Sequence, residues 1–149
     1  MNDPKKVKNK KKNFALEDNF DEPFQHKLRA ACRFLTFISE TDAAVIPFTT
    51  EKPASGSLRS YLAALKIESN EIEECDFDKF FERLTTEKDW HDEDDKRRTD
   101  QFTRLRDTLQ KNLNDIRVIR VGRMHLDIYI AGVDVSGRLA GVKTKAIET

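Results

Sequence analysis

Apolar residues recur along this chain first at helical and later at strand spacing. Phe24, Leu28, Ala31, Leu35 and Ile38 follow one another at intervals of 4, 3, 4 and 3 residues, with Arg29 and Arg33 off the stripe. That spacing predicts a helix over 24–38, stopped by the polar run Ser39-Glu40-Thr41-Asp42. Ala44 to Phe48 is a short apolar segment that reads as a strand, and Pro47 places it at a sheet edge or at the strand's end. Lys52 to Ser57 is a loop, and Ser57 is a suitable N-cap for a helix burying Leu58, Tyr61, Leu62 and Leu65. Glu71 to Cys75 reads as a short strand. Asp76 or Asp78 then caps a short helix through Phe80, Phe81 and Leu84. Thr85 to Asp92 is a loop holding the single Trp, and the longest helix follows over 94–113, with Phe102, Leu105, Leu109 and Leu113 as its stripe.

The period then changes to 2. Val118, Ile119 and Val121 form a first strand. Leu126, Ile128 and Ile130 alternate with His125, Asp127 and Tyr129, which predicts a half-buried strand with the three aliphatic residues inward. Asp134, Ser136 and Gly137 carry turn chemistry, and Leu139 to Ile147 returns as the partner strand. At least two adjacent antiparallel strands are expected within 117–147. With helices first, strands late and no βαβ alternation, the pattern predicts an α+β fold with a C-terminal hairpin. The terminal carboxylate, the Thr149 hydroxyl and the Glu148 side chain are expected just past a strand end, where they form a source of hard oxygen ligands.

Composition adjusts this picture in two ways. Ten Phe among 149 residues argue for a packed core in a single domain, despite 36% charged residues. The formal net charge of zero conceals a division. The first twelve residues hold six Lys and one Asp, and removing these from the totals of 27 and 27 leaves 21 basic and 26 acidic side chains, a body at −5. Residues 1–20 lack periodicity and read as a disordered Lys-rich tail, leaving 21–149 as the folded domain. An acidic body repels nucleic acid and attracts proteins that bind it. No apolar run approaches a membrane span, and the Lys-rich start lacks the apolar region of a signal peptide, so a cytoplasmic protein is expected. Cys32 and Cys75 lie far apart without metal-ligand spacing and read as reduced, buried thiols.

No catalytic constellation can be assembled from the sequence. His26, His91 and His125 fall in unrelated contexts, and no phosphate loop, nucleophile elbow or paired metal motif is present. Asp92-Glu93-Asp94-Asp95 lacks the Gly and spaced ligands of a calcium loop, and suits the positive end of a helix dipole.

FFERLTTEKDW (residues 80–90) and the closing LDIYIAGVDVSGRLAGVKTKAIET (residues 126–149) resemble the nuclease A inhibitor family. The resemblance is dense over 77–149, thinner over 24–47, where FLTFISE carries it, very weak over 49–74 and absent before 21. It implies an α/β/α sandwich and a non-catalytic inhibitor of a non-specific, metal-dependent DNA/RNA nuclease, bound one-to-one over the nuclease active site. It also implies that Thr149 offers oxygen to the partner's metal, expected to be magnesium, and that Glu40 pairs with an arginine of the nuclease. Trp90 corresponds to an interface aromatic, with Lys88 and Asp89 as flanking contacts and Glu148 beside the ligand. Taken by themselves, these residues also fit a solvated chain end, a solvated helix-end Glu and a core Trp. No cofactor of its own, no direct nucleic-acid contact, no membrane and a monomeric state are expected. The alternatives are a scaffold of the same fold with another partner, and a nucleic-acid module using the Lys tail.

Deleting residues 1–12 is expected to change the melting temperature little, because a segment with six Lys offers only Met1, Pro4 and Val7 to bury. A calorimetric scan checks this.

Overall fold

The computed structural model describes residues 22–149. The Lys-rich tail expected over 1–20 lies outside the described residues. Among the described residues, four helices are α1 (Glu22–Cys32), α2 (Leu58–Leu65), α3 (Phe77–Thr85) and α4 (Glu93–Asn112). Seven strands among the same residues are β1 (Thr36–Ile38), β2 (Asp42–Ala44), β3 (Ile46–Thr49), β4 (Ile72–Cys75), β5 (Asn114–Val121), β6 (His125–Val133) and β7 (Leu139–Ile147). The last five form one sheet in the order β3-β7-β6-β5-β4, antiparallel throughout, and β1 pairs with β2 as a separate hairpin.

The β6–β7 hairpin is the centre of the sheet. Its register runs without a break from His125 opposite Ile147 to Val133 opposite Leu139. Leu126, Ile128 and Ile130 are all buried, as their alternation predicts. The connecting turn is built by Asp134, whose Oδ1 accepts from the Ser136 N–H at 2.9 Å, the Ser136 hydroxyl at 2.6 Å and the Arg138 N–H at 3.0 Å. Gly137 supplies the positive φ, 87°.

The period-2 pattern divides the sheet into two faces, and each has its own core. α1, α3 and α4 press Phe24, Leu28, Phe81, Leu105 and Leu109 against Val118, Ile128, Ile130 and Val142. On the opposite face α2 brings Tyr61 against Ile119, Ala131 and Leu139, with Leu58, Leu62 and Leu65 half-buried around them. The architecture is therefore α+β, an unequal α/β/α sandwich whose second helical layer is a single helix. Tyr61 closes that layer. Its hydroxyl donates to the Asp115 carbonyl at 2.7 Å, and the Arg117 guanidinium lies 5.3 Å from its ring centre.

The caps follow the sequence closely. Ser57, Asp76 and Asp92 each accept a backbone N–H in the first turn of α2, α3 and α4. Asp92 and Asp95 form a reciprocal capping box, so half of the acidic run is committed to starting the helix. Pro47 sits on the edge strand β3, where its missing N–H costs no ladder bond. The other edge, β4, is short and carries exposed Glu73 and Glu74, features that discourage strand addition.

One expected element is corrected. The helix predicted over 24–38 ends at Cys32, and 36–38 is strand. Leu35 is buried, as the stripe requires, but it gets there through a turn in which its N–H donates to the Cys32 carbonyl at 3.0 Å. Phe34 occupies the left-handed region at φ 59°, and the β-branched and aromatic run Thr36-Phe37-Ile38 then continues extended. Phe37 is buried and stacks on Phe80 at 5.9 Å, whereas Ile38, the supposed end of the stripe, is 47% exposed. The single strand expected over 44–48 is two strands, β2 and β3, separated by buried Val45. Cys32 is buried, which pushes its thiol up to about 12, while Cys75 is only half-buried.

Gly141 is the tightest point of the central hairpin. Its φ is 158°, and a Cβ there would lie 1.8 Å from the Ile130 carbonyl oxygen, a backbone atom that cannot yield alone. Gly141→Ala is expected to cost about 3 kcal/mol or more of unfolding free energy, measured by urea titration.

Candidate functional site

The end of β7 is gripped from both sides. On one side is the β1–β2 turn. The Ile147 N–H donates to Ser39 Oγ at 3.0 Å, and the Glu40 N–H donates to the Ile147 carbonyl at 3.3 Å. On the other is the β5–β6 turn, where the Glu148 N–H donates to the Met124 carbonyl at 2.9 Å. The Glu148 carboxylate is taken by Arg120, whose Nε also lies 3.4 Å from Glu73. Arg120 stands on β5 two residues after Val118, on the face that the helices cover, and only 19% of its side chain is exposed.

Thr149 is held by Glu40. Its N–H donates to Glu40 Oε2 at 2.9 Å, and its hydroxyl lies 3.1 and 2.9 Å from Oε1 and Oε2. Both residues are exposed. A carboxylate accepts only, so the hydroxyl proton points at Glu40 and the lone pairs of Oγ1 remain on its outer side. The Thr149 N–H, and after it the Thr149 hydroxyl, hold the Glu40 carboxyl below its ordinary value.

Lys88, Asp89 and Trp90 lie in the loop between α3 and α4, and all three are exposed. Trp90 is 74% exposed, so it is not a core anchor. His91 orders the loop. Its Nδ1 accepts from the Lys88 N–H at 3.1 Å, its own N–H donates to the Lys88 carbonyl at 3.1 Å, and its ring meets the Trp90 indole edge-on at 4.5 Å. The topology brings this loop and Thr149 to one end of the sheet. β4 and β5 are antiparallel, α3 runs back from the end of β4, and α4 begins from that same side before descending to Asn114. Glu148 and Thr149 lie beyond Ile147, opposite His125, also at that end.

Sequence reasoning missed Arg120 and Ser39 as holders of this segment, and Phe34 as an exposed aromatic at 92% beside the first turns of α4. A signal for Arg120 existed, since a charged residue occupies an inward position in the alternation Val118–Arg120. Ser39 carried no signal of its own. The three histidines sit on α1, in the α3–α4 loop and at the start of β6. Among the described residues, no group of three or more His, Cys, Asp or Glu is placed to hold a metal ion. No helix there is long and apolar enough to cross a membrane.

A family model described as nuclease A inhibitor-like protein matches residues 22–149. No curated protein matches the chain.

The Glu40–Thr149 contact has a definite pH dependence. A carboxyl held below its unfolded value stabilises the contact at and above ordinary carboxylate pH, and loses that contribution as pH falls through the lowered folded value. The Thr149 amide resonance is therefore expected to titrate below the usual glutamate range, shifting toward a free chain end in acid. The component of this titration that Glu40 supplies should be lost in Glu40→Gln. A Thr149 amide that titrates identically in wild type and Glu40→Gln would show that Glu40 does not hold it.

Proposed function

The chain belongs to the nuclease A inhibitor-like family, and on that premise we propose that it blocks a non-specific, metal-dependent nuclease by covering its active site one-to-one. The family is one of inhibitors, not of enzymes. The observation that carries the mode of action is the placement of Thr149, exposed beyond β7 with its hydroxyl proton turned inward onto Glu40. A hard divalent ion such as magnesium takes oxygen ligands and otherwise holds water or a substrate phosphate. Thr149 fits that role, since its hydroxyl lone pairs are hard donors on an ordered segment. Glu148 serves by being fixed to Arg120, which keeps the preceding backbone in one place.

The rest of the proposed contact is the same end of the molecule. Trp90 offers an exposed indole next to charged Lys88 and Asp89. An aromatic anchor with a polar surround is the composition common at interface hot spots. Glu40 keeps acceptor capacity beyond its bonds to Thr149, because a carboxylate has about four lone-pair sites, and it suits an arginine of the partner. Residues 22–149 carry 21 basic and 23 acidic side chains, a slight acidic excess that suits a protein whose own cleft binds nucleic acid. The inhibitor itself requires no metal in this scheme.

Two variants test this reading with a nuclease of the matching class in magnesium buffer. A short peptide added after Thr149 blocks the approach of its hydroxyl to the metal and is expected to abolish inhibition, while leaving the melting temperature unchanged. Full inhibition by the extended protein would refute metal capping and favour a partner of another kind. Trp90→Ala is expected to weaken binding by about 2 kcal/mol or more. Its unfolding free energy should stay within about 0.5 kcal/mol of the parent, since little of the indole is buried.

A further inference from the structure

We infer that Glu40 is a positioning residue for Thr149: it pre-orders the last residue of this sequence and turns the hydroxyl's lone pairs toward the partner before the partner arrives. The inference rests on the reading that Thr149 meets the partner's metal, and it adds what prepares Thr149 for that contact.

The geometry has three parts. The Glu40 backbone is tied to β7 through the Ile147 carbonyl, and its neighbour Ser39 accepts the Ile147 N–H, so the carboxylate is presented from a fixed turn. That carboxylate takes both donors that Thr149 owns, the backbone N–H and the hydroxyl. Arg120 independently fixes the residue before, pulling the Glu148 side chain to the opposite side of the strand. The Thr149 backbone is thus held from two directions.

Chemistry assigns a direction to the hydroxyl. A threonine hydroxyl has one proton and two lone pairs, and free in water the proton points anywhere. Against a carboxylate it can only donate. The oxygen is then more electron-rich and faces outward as an acceptor, the state that a hard cation requires. A carboxylate behind a metal-binding group commonly raises that group's basicity and fixes its orientation. Ordering the segment in advance also removes part of the entropy cost that association otherwise carries. Glu40→Gln reverses this arrangement with almost no change of shape. Its amide N–H₂ can donate to Oγ1 and occupy the lone pair that Glu40 leaves free.

The test is a double-mutant cycle with the complete inhibitor, measured by calorimetric affinity for the magnesium-loaded nuclease, with backbone NMR of the free inhibitor alongside. Glu40→Gln is expected to weaken affinity about 10–100-fold. In a Thr149→Val background the same change is expected to weaken it clearly less, since the hydroxyl it acts on is gone and only its contacts with the partner arginine and the Thr149 N–H remain. In the free wild-type protein, the Thr149 amide should show heteronuclear relaxation like that of β7, and in Glu40→Gln like that of a loose chain end. Additive effects of the two substitutions would overturn positioning while leaving Thr149 as a contact, with Glu40 acting on the partner alone. A wild-type Thr149 amide as loose as a free end would overturn it directly. If Thr149→Val bound as tightly as wild type, the hydroxyl contact would be refuted and this inference with it.

Discussion

The unbroken pairing of β6 with β7 is the constraint on which the rest of the molecule depends. Nine residues of each strand are matched, from His125 and Ile147 at one end to Val133 and Leu139 at the other. A slip of one residue would exchange Leu126, Ile128 and Ile130 for Asp127, Tyr129 and Ala131 on the face that three helices cover. The buried Asp134 turn sets the register at one end. Close approach of the Ile130 carbonyl to Gly141 sets it in the middle, because no other residue fits that backbone. Both helical layers are then placed by the two faces of this one hairpin.

That rigidity reaches the functional end of the molecule. Ile147 and Thr149 are both hydrogen-bonded to Ser39–Glu40, and Glu148 is hydrogen-bonded to Met124 and Arg120. The three holders come from different parts of the fold, the β1–β2 turn, the β5–β6 turn and the interior of β5. A substitution in any one of them can therefore alter how Thr149 is presented without touching a partner. The α3–α4 loop is ordered in another way, by His91 and by the capping box of α4, and it carries an indole that the free protein leaves in water. An exposed Trp on an ordered loop loses little entropy when a partner covers it.

The second sheet face shows what this arrangement leaves aside. A single eight-residue helix covers it, anchored by Tyr61, so that layer contributes a smaller core than the three-helix side. The residues proposed to meet a partner lie at the end of the sheet where α4 begins and β7 finishes, away from the Asp134 turn.

The sequence by itself determined the elements whose signals are local. Alternation alone gave the inward face of β6. Ser57 marked one helix start, Asp76 was one of two candidates for the next, and the acidic run from Asp92 marked the third, because caps and first-turn charges act on N–H groups a few residues away. The dense C-terminal pattern also identified the family. Tertiary structure decided the rest. Leu35 continues a helical stripe, and only packing shows that it enters the core through a turn at Phe34 while 36–38 becomes strand. Trp90 could be core or surface on sequence grounds, and the loop's placement leaves it outside. Glu40 and Thr149 are 109 residues apart, and Arg120 and Glu148 are 28 apart. Periodicity reports which side of its own element a residue faces, but not which distant residue waits there. That is set when the sheet closes its register and brings the β1–β2 turn alongside the end of β7.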